Sequence, residues 1–90
     1  LTNLEAQHPT LPEIPYNKGI ILLLADKQQE AINELTKSVT IMPSFSQAWY
    51  NRGLTYLLLN NKEQACQDFS KAGELGLFEA FTTIKEHCGR

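Results

Sequence analysis

Ninety residues carrying eight basic and ten acidic side chains make one small domain, near the lower size at which a hydrophobic core alone suffices. A pI of about 5.6 with no basic stretch argues against nucleic acid as a partner. No apolar run approaches the roughly 18–20 residues of a membrane span, and the longest, Ile20 to Ala25, reads as a helix face.

The chain opens on Leu1 rather than Met, and no basic segment followed by an apolar one resembles a signal peptide. The first predicted helix starts near Pro12–Pro15, where proline fits the opening turn, and runs to about Ala25. Asp26 is expected to cap the second helix, with Gln29 as its capping-box partner. Ala31, Ile32, Leu35, Val39 and Ile41 recur about once per turn along it, and Pro43 stops it.

The next pair repeats this plan. Ser44 and Gln47 form a candidate capping box before Ala48, Trp49, Arg52, Gly53 and Tyr56. Asn60-Asn61 breaks that helix, and Asn61 with Gln64 opens a fourth, whose predicted buried face is Ala65, Cys66, Phe69, Ala72 and Leu75. Gly73 and Gly76 weaken its end, with Gly76 as the stop. A fifth helix, about Phe78 to His87, is expected to turn Phe78, Phe81, Ile84 and Cys88 to one side. No strand pattern appears, so the expected class is all-α.

The two pairs echo one another. Tyr16-Asn17-Lys18-Gly19 returns as Tyr50-Asn51-Arg52-Gly53. Leu23-Leu24 returns at the same interval as Leu57-Leu58, Ala31 as Ala65 and Lys37 as Lys71, and Pro9 stands that interval before Pro43. A fixed period of about 34 residues means stacked supersecondary units.

These residues resemble the tetratricopeptide repeat, whose pattern runs from Trp and Leu-Gly through Tyr, Ala and an aromatic to a closing Pro. The second unit supplies Trp49, Gly53, Tyr56, Ala65, Phe69 and Ala72, departing at Arg52 and at Leu77. The first supplies Gly19, Leu22, Ala31, Leu35 and Pro43, with Pro15 in place of the Trp. The resemblance implies an α-α superhelix of stacked antiparallel helix pairs. Its expected divisions are a repeat over 12–43, a second over 44–77 and a capping helix over 78–90. Phe78, Phe81 and Ile84 are expected to pack inward from that cap. Residues 1–9 are read as the end of a preceding helix or a linker, and the chain as the terminal part of a longer array.

Chemistry is not encoded in a recognisable pattern. His8 and His87 have no nucleophile or carboxylate arrangement beside them. No glycine-rich loop or zinc spacing occurs, so no catalytic, cofactor-binding or metal-binding residue is assigned. Cys66 and Cys88 are expected to be free cysteines serving as small core or edge residues, although their helices would place them near enough to bridge in an oxidising compartment. Their number leaves the redox compartment open. Lys18 and Arg52 are expected to bury their stems and reach an acid such as Glu34 or Asp68.

In the family, the first helix of each pair lines a concave surface that holds a peptide. By resemblance the groove here is Tyr16, Ile20, Leu23 and Leu24, then Gln47, Tyr50, Leu54, Leu57 and Leu58, edged by Glu13, Glu79, Thr82 and Glu86. A clamp for a C-terminal carboxylate is not expected, since Tyr16, Ile20, Leu54, Glu79 and Thr83 stand where basic or amide groups are needed and only Asn51 fits. The expected role is a non-catalytic protein-interaction module for a hydrophobic or amphipathic peptide. The alternative is an accessory domain of a larger enzyme or membrane-associated machine, its apolar face packed on the parent protein or a second copy.

Overall fold

The computed structural model describes residues 11–89, which form five helices: α1 (Glu13–Leu24), α2 (Gln28–Ile41), α3 (Ser46–Leu58), α4 (Lys62–Glu74) and α5 (Glu79–His87). Among the described residues every regular element is helical. Each helix packs chiefly on its neighbour in sequence, and α1 also touches α3. The preceding helix expected over the first residues, with His8 and Pro9, lies outside the described residues.

Small residues set the helix spacing within each pair. Gly19 on α1 faces Leu35 so closely that a Cβ there would stand 2.8 Å from the leucine Cγ. Gly53 on α3 meets Phe69 in the same way, at 2.7 Å from the ring Cε1. Leu35 and Phe69 are thereby fully buried. Removing such a side chain from water contributes about 1.5–3 kcal/mol. Ala31, Ala65 and Ala72 are also fully buried. Leu22, Trp49 and Tyr56 are half-buried around them. Pro43 is exposed, and its carbonyl accepts a hydrogen bond from Trp49 Nε1 at 2.8 Å.

The turns repeat as faithfully as the helices. Asp26 and Asn60, one repeat period apart, both adopt φ of 64°. Beside them Lys27 N–H reaches Leu22 O at 2.9 Å and Asn61 N–H reaches Tyr56 O at 2.9 Å. These are Schellman closures, a geometry that short polar residues tolerate better than β-branched ones. Gly76, at φ 107°, closes α4 in the same manner, with Leu77 N–H on Ala72 O at 3.0 Å.

Two capping expectations are corrected here. Asp26 belongs to the left-handed turn, accepting from Gln28 Nε2 at 2.6 Å, and Lys27 occupies the cap of α2. Phe45, not Ser44, occupies the cap of α3 and makes no side-chain cap bond. Asn61 does cap α4, its Oδ1 accepting from Gln64 N–H at 3.4 Å.

The fifth helix also sits differently from its sequence expectation. Phe78 is 72% exposed and Phe81 48% exposed. Ala80 and Thr83 are the buried positions, with Leu77 and Ile84 packed beside the core. Phe81 is only partly turned outward, because its ring rests on α4 at Gly73. The missing Cβ of Gly73 leaves only enough room for the Phe81 ring to lie over the backbone, 2.6 Å from where that Cβ would be.

The expectation of free cysteines is overturned as well. Cys66 on α4 and Cys88 after α5 are joined by a disulfide, their Cα atoms 5.9 Å apart. That spacing lies within the ordinary range for a bridge.

Candidate functional site

The helices α1, α3 and α5 form a row, and side chains from the echoed positions tie them together. Asn51 Nδ2 on α3 donates to the Tyr16 hydroxyl on α1 at 3.0 Å. The Tyr50 hydroxyl on α3 pairs with Thr83 Oγ1 on α5 at 2.8 Å. The Tyr16 ring also lies against Phe45, centroids 4.8 Å apart, and Tyr50 lies against Phe69 at 5.4 Å. Both tyrosines are half-buried and hold neighbouring helices in register.

The remaining expected groove residues divide into two groups. Ile20, Leu23, Leu54 and Leu57 are half-buried, and Leu54 and Leu57 pack against the core around Phe69. Leu24 is 82% exposed and Leu58 61% exposed, while Gln47 is exposed near the start of α3. The structure thus offers two bare leucines at the C-terminal ends of α1 and α3, backed by a half-covered apolar layer.

On another face of α3, Arg52 spans two helical pairs. Its guanidinium donates to both oxygens of Asp68 on α4, at 2.8 and 2.9 Å, and to Thr36 Oγ1 on α2 at 3.1 Å. It stacks 5.0 Å from the Trp49 ring centroid and 5.5 Å from that of Tyr56. Hydrogen bonding to Asp68 holds the guanidinium above its ordinary pKa. Burial pushes the Asp68 carboxyl above the usual carboxylate value, against the opposing pull of Arg52. The expected acid for Arg52 is therefore found. Lys18 does not pair with Glu34, which instead takes Lys37 at 3.2 Å.

Residues that the sequence reading passed over are Phe45, Ser38 and Thr36. Ser38 is fully buried and donates to Pro12 O at 2.9 Å, pinning the start of α1 to α2. Its signal was available, because Ser38 stands one repeat period before Ala72, a polar atom in an otherwise apolar place. No group of three His, Cys, Asp or Glu side chains among the described residues is arranged to hold a metal ion.

The family model for the tetratricopeptide repeat matches residues 46–76, the span of α3, α4 and the Gly76 turn. Residues 46–76 are thus a tetratricopeptide repeat. Its fold superposes on the crystal structure of MamA with a TM-score of 0.85 at 20% identity, covering 96% of this chain and 52% of that one. The chain therefore spans about half the length of that protein, and the likeness concerns the fold. No curated protein matches it. Tetratricopeptide repeats in general mediate protein–protein interaction, and the fold typically serves as a non-catalytic scaffold.

Proposed function

We propose that the row of α1, α3 and α5 binds a hydrophobic or amphipathic peptide, with Tyr16, Ile20, Leu23 and Leu24 on one side and Gln47, Tyr50, Leu54, Leu57 and Leu58 on the other. The carrying observation is the exposure of Leu24 and Leu58 at equivalent helix ends, over a half-buried layer of aliphatic side chains. Exposed apolar patches that persist in a folded domain mark interaction surfaces. An amphipathic helix supplies the matching stripe at i, i+3, i+4 and i+7. The tyrosine hydroxyls are already committed to Asn51 and Thr83, so the contact is apolar in character.

The test uses the whole chain and a fluorescein-labelled amphipathic peptide with leucines at that spacing, read by anisotropy. Leu24→Glu with Leu58→Glu is the informative variant, because both side chains point to solvent. Charges at Leu54 or Leu57 would instead disturb packing on the Phe69 core. Saturable binding that falls about ten-fold in the double variant supports the reading, and equal binding discards it. Light scattering at the same concentration distinguishes an open surface from self-association, since a dimer that the double variant dissolves assigns the leucines to a second copy.

A further inference from the structure

We propose that the cleft between the start of α1 and the second half of α2 is a binding pocket for an aromatic side chain in an acidic partner peptide. The pocket has a volume of about 380 Å³, at the lower end of the size range of ligand sites. Its apolar walls come from Ile14, Pro15 and Ile41, and its charged rim from Lys18, Glu34 and Lys37. On α1 these positions lie roughly 160° around the helix from Tyr16, Ile20 and Leu23, so the pocket is separate from the peptide surface proposed above.

The second helical pair indicates which chemistry fits. There Trp49 fills the equivalent place, its ring centroid 5.0 Å from the Arg52 guanidinium carbon and 5.9 Å from Lys71 Nζ. A step of one repeat period back places Pro15 where the indole stands, Lys18 at Arg52 and Lys37 at Lys71. The helix pairs agree in their internal geometry, since Gly19 meets Leu35 as Gly53 meets Phe69. The first pair therefore keeps both cations and lacks the aromatic ring that such cations attract. Proline is accommodated because the third residue of a helix has no intrahelical acceptor to lose.

Charge selects the rest of the ligand. Lys37 is engaged by Glu34 at 3.2 Å, while Lys18 has no ion-pair partner among the described residues. The rim carries two positive groups against one negative, on a chain whose net charge is −2. An aromatic ring entering between Ile14 and Ile41 would bring its own flanking carboxylate to Lys18.

The experiment titrates the intact chain with acetylated Glu-Trp-Glu amide and follows the methyl NMR signals of Ile14 and Ile41, with Glu-Leu-Glu amide as control. The expected result is saturable shifts at both methyls, about ten-fold weaker for the leucine peptide and for the surface variant Lys18→Glu. Pro15→Trp supplies the missing indole from the chain itself and is expected to abolish binding and raise the melting temperature. Unshifted methyls, equal response to the two peptides, or unweakened binding by Lys18→Glu would overturn the proposal. Two other occupants would do the same. Nuclear Overhauser contacts from residues 1–10 to Ile14 or Ile41 in the free chain assign the pocket to the preceding segment, and methyl shifts on dilution assign it to a second copy.

Discussion

The Arg52 guanidinium grips the buried Asp68 carboxylate with two hydrogen bonds, Nε to Oδ2 at 2.8 Å and Nη2 to Oδ1 at 2.9 Å. Arg52 stands where the repeat pattern has leucine, and its third contact, to Thr36, reaches back into the preceding helical pair. A departure from the family pattern has thus become a link between α2, α3 and α4.

Arg52→Met keeps the apolar stem and removes the charge. It leaves Asp68, whose side chain is 4% exposed, as a buried carboxylate without its partner. Breaking one side of such a pair costs roughly 3–5 kcal/mol, whereas replacing both sides with apolar groups is often neutral. Chemical denaturation should show a large loss for Arg52→Met and recovery of most of it in Arg52→Met with Asp68→Leu. The sign of the pH dependence follows from burial. Asp68 is already pushed up by desolvation, and removing Arg52 leaves that cause unopposed. A raised folded-state pKa means that the folded chain holds the proton more tightly than the unfolded one, so the contribution of Asp68 to stability is greatest in acid and declines as pH rises through the folded value. The penalty of Arg52→Met should therefore be small where Asp68 is protonated in both states and grow towards neutrality. A penalty independent of pH would exclude the unpaired carboxylate as its cause.

Three glycines make close approaches, and their neighbours decide what alanine would do. At Gly53 a Cβ would strike the fully buried Phe69 ring at 2.7 Å and Ala65 O at 3.1 Å, and neither can retreat. At Gly73 the obstacle is the half-exposed Phe81 ring at 2.6 Å, free to swing outward. Gly53→Ala is expected to destabilise by about 1–3 kcal/mol through overpacking. Gly73→Ala should fall within about 1 kcal/mol of the parent, because alanine's helix propensity offsets the displaced ring. Thermal melts of the two variants give the comparison directly, and equal losses would contradict it.

The helices were legible in the sequence because punctuation and period agree: Pro43, the Asp26 and Asn60 turns and Gly76 all fall at the ends of apolar repeats. The close approach at Gly19 and Gly53 was legible from their recurrence, with Ala31 and Ala65 expected opposite; their carbonyls do lie near, but Leu35 and Phe69 make the tightest contacts. The face of α5 was not. Periodicity favoured Phe78, Phe81 and Ile84; Ile84 does pack beside the core, but Ala80 and Thr83 are the buried positions, Phe78 is exposed and Phe81 keeps only the contact of its ring with Gly73. Capping also misled, because Ser44 and Gln47 have the right spacing while the chain enters α3 one residue later, at Phe45, whose ring is taken by Tyr16. Apolar spacing picked out Leu24 and Leu58 but not their exposure, since each closes its helix and period alone does not say which side chains a neighbour covers.

The Cys66–Cys88 bridge joins positions 22 residues apart in sequence and closes a loop that contains most of α4 and all of α5. Cross-linking a loop of this length contributes about 3 kcal/mol in the chain-entropy model. Reduction should be felt first in α5, whose own buried side chains are only Ala80 and Thr83. Hydrogen exchange is expected to quicken over Glu79–His87 in Cys88→Ser or with reductant, while α1 and α2 remain unchanged. The Tyr50 hydroxyl should then lose Thr83. Uniform acceleration across all five helices would mean that the bridge stabilises the whole stack and not the cap.

Ser38 tests whether the start of α1 depends on one hydroxyl. Its Oγ donates to Pro12 O at 2.9 Å, and the same carbonyl accepts Tyr16 N–H at 3.2 Å as the opening bond of α1. Ser38→Ala installs the residue found one period later at Ala72, so packing is preserved while the hydrogen bond disappears. The carbonyl keeps its second donor, so the loss should be near the ordinary net value of about 1 kcal/mol, partly offset by the better helix propensity of alanine. The local effect should exceed the global one. Amide exchange at Tyr16 should accelerate well beyond what the small change in melting temperature accounts for, because the first turn of α1 loses its tie to α2. Exchange at Tyr16 that tracks global stability alone would show that Pro15 and Gly19 hold the turn without Ser38.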